Sequence, residues 1–288
     1  MNKKCYILMN ADGPEELASI LSAKDVFRAV KFFYDPTLLK LTKDNWFRKI
    51  QTLDKGSICI LTTHGDFGEN GSLQKVLEIK KIAHTHSPAT VCGILLNKHL
   101  SKMFYKSLGI STPSWYFNDN IYGCKLNKMF SKKFVKKPLL GGSKVGIKKV
   151  NNISSGDVDQ YIYETYVDGS IQISMSILGS GENALSLAPV IRKRPLFAAS
   201  KYSISYNKID QRIIDKCGAW AKKIHISLGC RGVTKTDFLL DKYGEIWAIE
   251  TDAIPGLSKT NAISISAERS GLSYRELVSK ILQDVYVE

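Results

Sequence analysis

Three acidic residues near the C-terminal end are spaced to do chemistry together. Residues 233–240 and 246–251 read as two strands, with Asp241-Lys-Tyr-Gly-Glu245 as the turn between them. Folding this hairpin about Tyr243 sets Asp237 nearly opposite Glu250, and the period of two adds Leu239 and Ala248 to the same side. Phe238, Leu240, Trp247 and Ile249 then form the core face. Opposed carboxylates repel unless a cation lies between them. Asp252 shares the face of Glu250, and three converging hard oxygen ligands suit Mg²⁺. A purely structural reading pairs these acids with lysine, and Lys235 lies on the same face.

Two further stretches carry chemistry. Lys137-Pro-Leu-Leu-Gly-Gly-Ser-Lys-Val-Gly146 can present backbone N–H groups, a hydroxyl and ammonium groups together, which suits a polyphosphate. It lacks the Walker A spacing, and taken alone the stretch reads more simply as a plain hairpin turn. His64-Gly-Asp-Phe-Gly-Glu-Asn-Gly71 follows an apolar strand-like run at 58–62, and so lies where α/β folds place ligands. Glu15 opens the first helix, where an acid ordinarily answers the helix dipole.

The elements that must position these residues fall into three blocks. Residues 1–87 alternate strand-like runs (5–9, 57–62) with amphipathic helical stretches (15–29, 73–81), the pattern of a parallel α/β lobe. Residues 83–90 read as a polar connection. Residues 88–168 hold one helix over 89–108, closed by Gly109 and Pro113, then strands at 133–137 and 160–167 around the glycine-rich loop. Residues 169–288 hold a strand at 171–178, a helix at 208–228, the acidic hairpin and a last helix at 273–284.

Composition excludes more than it selects. The chain has 288 residues and a net charge of +14, yet no nucleic-acid motif accompanies the lysines around 132–149. No apolar run approaches the roughly 20 residues that span a bilayer. The first nine residues lack a signal-peptide cleavage pattern, and the six cysteines lack metal spacing, so we expect a cytoplasmic protein with buried free thiols.

Taken in order, these segments resemble the D-alanine–D-alanine ligase family of the ATP-grasp fold. The resemblance rests on His64-Gly-Asp-Phe-Gly-Glu-Asn-Gly-Ser-Leu-Gln74, Asn97-Lys98 with Gly109-Ile-Ser-Thr-Pro113, Lys137-Pro with Gly142-Ser-Lys-Val-Gly146, Lys201-Tyr202, Cys230-Arg-Gly-Val-Thr-Lys-Thr-Asp-Phe238, and Glu250-Thr-Asp with Pro255-Gly256. It implies an α/β (α+β) fold in which a parallel lobe precedes two α+β lobes that sandwich ATP. The implied activity is ligation of two amino acids through an acyl-phosphate, with ADP and phosphate released. ATP and two Mg²⁺ are the implied cofactors, Mn²⁺ being an alternative. Amino acids are the implied partners, with a homodimer allowed and neither nucleic acid nor membrane involved.

The resemblance also implies roles. Lys98, Lys137, Lys144 and Lys201 would serve the nucleotide. Ser143 and the backbone to Gly146 would form a lid over the γ-phosphate, and Glu164, Tyr166 and Val167 a hinge that receives adenine through its backbone. Asp237, Glu250 and Asp252 would hold the metal. Glu15, Ser143 and Tyr202 would form a hydrogen-bonded set at the first substrate beside His64, with Gly256 and Asn261 at the second and Lys235 by the reacting carbonyl.

This chain departs from the family pattern at several of these positions. Lys235 stands in place of an arginine, Asn261 in place of a serine, Asp252 in place of an asparagine and Lys144 in place of a serine. Ile171 stands in place of the acid that holds ribose. Leu139, Leu140 and Gly141 replace polar lid residues, and the stretch from Lys201 to Cys230 is shorter. Lysine lacks the planar fork of arginine, so that exchange changes the chemistry. The changes at 235 and 261 favour a related ligase making another dipeptide or a specialised metabolite. A silent ATP-binding regulator and a basic nucleic-acid binder are the alternatives of other classes.

Overall fold

The computed structural model describes residues 4–123, 133–142, 145–154, 159–168, 171–193 and 209–287. Its first sheet joins β1 (Cys5–Asn10), β2 (Pro36–Leu41), β3 (Ile58–Leu61) and β4 (Ala83–His84) in the order β2-β1-β3-β4, all parallel. The apolar runs of β1 and β3 are buried, as strands covered on both sides must be. Helices α1 (Glu16–Val30), α2 (Trp46–Gln51), α3 (Asp66–Glu69) and α4 (Ser72–Ile79) connect them. Strand β2 is absent from the sequence expectation because Thr37 and Lys40 interrupt its apolar character, which an edge strand tolerates.

Two expectations are corrected here. Residues 83–90 are more than a polar connection. Strand β4 lies there, and His84, Thr85, His86 and Ser87 are fully buried. Part of their polarity is satisfied by the sheet: the Leu61 N–H donates to Thr85 Oγ1 at 3.0 Å, and the Thr85 N–H donates to the Cys59 carbonyl at 3.0 Å. The single helix expected over 89–108 is two, α5 (Ala89–Leu96) and α6 (Lys98–Ser107). Asn97 between them is extended (ψ 107°), and its side chain accepts from the N–H groups of His99 and Leu100. Asparagine favours this capping geometry over a helix interior.

The other two sheets are antiparallel. One joins β5 (Trp115–Phe117), β6 (Asn120–Tyr122), β7 (Phe134–Pro138), β8 (Lys148–Val150) and β9 (Tyr161–Thr165) in the order β6-β5-β9-β7-β8. The other joins β10 (Ile171–Leu178), β11 (Leu185–Ser186), β12 (Val190–Lys193), β13 (Val233–Leu240) and β14 (Ile246–Asp252) in the order β11-β10-β13-β14, with β12 also on β10. Helix α7 (Gln211–Ser227) covers this last sheet through Cys217, Ala221 and Ile224. Helices α8 (Ala262–Arg269) and α9 (Tyr274–Gln283) return to the first lobe, where Leu277 and Ile281 share a core with Ile7 and Val26. Ser273 and Glu276 close a capping box at the start of α9. Among the described residues, no helix is long and apolar enough to cross a membrane, and five cysteines are free and buried. Cys124 lies outside the described residues.

Candidate functional site

The acidic hairpin forms as its spacing requires, with one correction. Asp237 pairs with Glu250, and Lys235 pairs with Asp252. A β-bulge follows, so that Phe238 pairs with Ala248 and Leu239 with Trp247. The extra residue flips the side-chain phase of β14 beyond it. Ala248 therefore joins Phe238, Leu240 and Ile246 in the core instead of sharing the face of Asp237. Trp247 leaves the core face, and its indole N–H donates to Asp241 at 3.0 Å. Ile249 also leaves that face and lines the central cavity. Thr236 and Thr251 lock the acids' orientation from behind, with hydroxyls 3.0 Å apart, and the buried Tyr105 donates to Thr251 at 2.9 Å.

The acids border a cavity of about 530 Å³ that also takes in Lys98, Lys137, Glu69 and Glu164. Lys235 Nζ sits 3.1 Å from Asp237 Oδ2 and 2.6 Å from Asp252 Oδ2. Burial alone would lower the Lys235 pKa, but Asp237, Asp252 and Glu250 hold it well above the usual lysine range. Burial pushes the Asp252 carboxyl up to about 7, helped by Glu250 and Asp237 and opposed by Lys235. Burial would raise Asp237 too, yet Lys235 and the Ser174 hydroxyl, which donates to Oδ1 at 2.5 Å, hold it below the ordinary value. Hard carboxylate donors facing a cavity fit Mg²⁺. They do not close into one tight cluster. Among the described residues, the group whose ligand atoms all lie within 4.8 Å of one another is Glu15, His64 and Glu69 instead.

That second group lies at the carboxyl ends of β1 and β3. Asn10, at the end of β1, accepts from the His64 N–H at 2.7 Å and donates to its carbonyl at 3.2 Å, fixing the loop. Gly65 takes φ 62°, and a Cβ there would stand 3.4 Å from Glu15 Oε2, so the glycine admits both the turn and the acid. Glu15 occupies the N-cap position of α1 without capping through its side chain, which reaches the His64 loop and answers more than the helix dipole. His64 Nδ1 lies 3.4 Å from Glu69 Oε1. Burial would lower the His64 pKa, but Glu69, Glu15 and Asp252 raise it above the ordinary value.

The lysines meet on the opposite wall. Asn97 starts α6 at Lys98, whose Nζ donates to the Gly141 carbonyl in the glycine-rich loop at 2.6 Å. Burial lowers the Lys98 pKa, although Glu250 acts to raise it. Glu164 lies in β9 between β5 and β7, and its carboxylate is gripped by Lys137 at 2.6 Å and Lys102 at 3.2 Å. Burial would raise Glu164, but the two lysines hold it below the usual carboxylate range. The expected hinge stretch borders the cavity through Glu164, Thr165 and Val167. Within it, the N–H groups of Thr165 and Tyr166 go to the carbonyls of Ser114 and Lys133.

Sequence reasoning missed several of these groups. Lys102 is fully buried, donates to Thr112 Oγ1 at 2.6 Å, and is pushed down to about 8 by burial. Arg192 on β12 lines the cavity and acts on Asp237. Glu69 lay within the quoted loop but received no role. Ser174, Lys102 and Arg192 meet the site only through sheet pairing and helix packing, which no local spacing reveals. At the other end, a Cβ on Gly256 would stand 2.1 Å from Asn261 Nδ2, so a larger residue there would displace the Asn261 amide. Gly146 has φ 74° beside Pro138. Ser143, Lys144, Lys201 and Tyr202 lie outside the described residues.

Known proteins share this architecture. The family description "D-ala D-ala ligase C-terminus" matches residues 124–283. D-alanine–D-alanine ligase from Carboxydothermus hydrogenoformans is 29% identical, with 97% of each chain covered. D-alanine–D-alanine ligase B from Chromobacterium violaceum is 24% identical over 99% of this chain and 98% of its own. The crystal structure of D-alanine–D-alanine ligase from Bacillus anthracis complexed with ATP superposes with a TM-score of 0.78 at 22% identity, covering 98% of this chain and 96% of its own. The shared parallel lobe, the paired antiparallel sheets and the match over more than half the chain lead to one conclusion: this chain belongs to the D-alanine–D-alanine ligase family, ATP-grasp enzymes that use ATP to form a peptide bond.

Proposed function

We propose that this chain joins two amino acids, D-alanine to D-alanine, through an acyl-phosphate. The observation that carries the reading is the cavity itself, where Lys98 and Lys137 face Asp237, Glu250 and Asp252. ATP with Mg²⁺ supplies the phosphoryl group that turns a carboxylate into a competent acyl donor. The chain supplies the setting. Lys98 and Lys137 offer ammonium groups to phosphate oxygens, and the family resemblance assigns Ser143, Lys144 and Gly146 of the glycine-rich loop to the phosphates as well. The backbone of Glu164, Tyr166 and Val167 receives the base. Glu15 and Glu69, flanking His64, present carboxylates to the first substrate's ammonium group. Gly256 and Asn261 border the second substrate, and Lys235 faces the carbonyl that becomes tetrahedral. The family resemblance gives Lys201 a role at the nucleotide and Tyr202 one at the first substrate, and exclusion of water protects the intermediate from hydrolysis.

We divide the chain into lobes at 1–87, 88–168 and 169–288, with the cavity between them. The five buried free cysteines support a reducing, cytoplasmic setting. Leu17 and Leu21, exposed one turn apart on α1, support a homodimer.

A second reading, a ligase for a different acceptor, is favoured by Asn261. Its amide packs against Gly256 where the family carries a smaller hydroxyl, which narrows the acceptor end. Purified protein supplied with ATP, Mg²⁺ and amino-acid pairs tests both readings through phosphate release. D-alanine alone sustaining turnover supports the first. Turnover only with another acceptor supports the second, and no turnover with any pair contradicts both.

A further inference from the structure

A histidine outside the cavity ties together the two elements that carry its lysines. Helix α6 supplies Lys98 and Lys102, and the sheet of β5, β9 and β7 supplies Glu164 and Lys137. Trp115 of β5, fully buried, touches both: it pairs with Glu164 across the ladder, and the Lys102 ammonium lies 5.1 Å from its ring centroid. The Trp115 indole N–H donates to His99 Nδ1 at 3.1 Å. His99 directly follows Lys98, and its own backbone N–H donates to the Asn97 side chain that opens α6. The imidazole stacks on Phe117 with centroids 4.5 Å apart and meets Tyr122 edge-on at 4.8 Å.

An indole nitrogen can only donate, so His99 must accept, with Nδ1 bare and the proton on Nε2. A second proton on the ring would set two N–H groups against each other in a half-buried place. Among the described residues no carboxylate meets the ring to offset that charge. The groups around it are Trp115 and Phe117 of β5 and the Tyr122 phenol of β6, and on α6 itself Lys102 lies against the same indole. Burial accordingly lowers the His99 pKa.

We propose that His99 is a positioning residue for the nucleotide site: its bare Nδ1 anchors Trp115, and this tie sets Lys98 and Lys102 against Glu164 and Lys137. The proposal rests on the nucleotide reading above. Protonation of His99 releases the indole, loosens α6 on the sheet and weakens nucleotide binding. Affinity therefore falls in acid, below the ordinary histidine value of about 6.5, through a residue that does not line the cavity.

Two measurements between about pH 5 and 8 test this. The first follows the Trp115 indole N–H resonance by nitrogen-15 NMR without any ligand, assigned with Trp115→Phe. It should titrate in the wild type and stand still in His99→Asn, whose amide oxygen takes the place of Nδ1 and does not titrate. The second follows the Kd of the non-hydrolysable β,γ-imido analogue of ATP with Mg²⁺ by calorimetry. His99→Asn should match the wild type at the alkaline end. Across the titration the wild type should lose about fivefold in affinity relative to it, the scale of one hydrogen bond. His99→Phe keeps the stacking but cannot accept, and should bind about fivefold more weakly than the wild type even at the alkaline end. Circular dichroism checks the fold of each variant, and His99→Leu replaces the phenylalanine variant if that one is unfolded. Three results each overturn the proposal alone: a wild-type indole resonance that ignores pH, the same pH dependence of Kd in the wild type and His99→Asn, or full affinity in the folded His99→Phe. Failure of the wild type to bind the nucleotide at any pH overturns it together with the reading of the site.

Discussion

Single residues in this site act through their surroundings more than through their type. Lys102 is the clearest case. It lies fully buried beneath Glu164, donating to Thr112, whose hydroxyl donates in turn to the Ala248 carbonyl at 2.7 Å. With Lys102 in place, Lys137 can turn toward a phosphate without leaving Glu164 bare. Lys102→Met should cost about 3 kcal/mol in urea unfolding, the scale of breaking a buried ion pair. It should also weaken nucleotide binding, because Lys137 then stays committed to Glu164. His64 gives a pH-dependent case. Its folded pKa is raised, mainly by Glu69 acting against burial. A raised folded pKa adds stability that is fully present below the unfolded histidine value and is lost as pH climbs through the folded value. The stability difference between wild type and Glu69→Gln should therefore be greatest at mildly acidic pH and should shrink as His64 deprotonates. A difference that instead grows with pH would contradict the Glu69–His64 assignment.

Elements place these residues, and here the limits of reading a sequence become physical. The hairpin was legible because a strong turn and the period of two relate Asp237 to Glu250. The bulge after Asp237 was not, since one extra residue leaves no local mark while exchanging the faces of Trp247 and Ala248. The polar stretch at 83–90 reads as a connection, but it is buried, with His86 Nδ1 2.8 Å from Thr85 Oγ1 and the Ala89 N–H donating to Glu78 at 2.7 Å. The break at Asn97 escaped notice because the apolar pattern continues through it. That break makes Lys98 the first residue of α6, aimed under the glycine-rich loop. Asn97→Ala should cost about 1 kcal/mol, the usual worth of an N-cap. It should also raise the nucleotide Kd by loosening Lys98, whereas a stability loss with unchanged Kd would make the cap merely structural. Gly256→Ala, by driving a methyl into Asn261, should raise the KM of the second substrate more than that of the first.

At the scale of the whole molecule, the C-terminal segment is fastened to the first lobe and to the start of the acidic hairpin. Tyr286 bridges to His84 at the edge of the first sheet. Asp284 accepts from the Gly232 N–H at 2.6 Å and pairs with Arg231 at 3.1 Å, just ahead of the strand that carries Lys235 and Asp237. Asp284→Ala should cost about 2 kcal/mol through these charge-assisted bonds, as read in urea unfolding. Such an architecture lets separate lobes present lysines and carboxylates to one cavity while a shared core of first-lobe and C-terminal residues keeps them in register. The central claim is that this cavity activates a carboxylate by phosphorylation. The most direct test supplies D-alanine labelled with ¹⁸O in its carboxylate, together with ATP and Mg²⁺, and weighs the phosphate released. Acyl-phosphate chemistry predicts that each phosphate carries one labelled oxygen drawn from the amino acid. Phosphate released without label, or no phosphate above that from an Asp237→Asn control, would contradict the account.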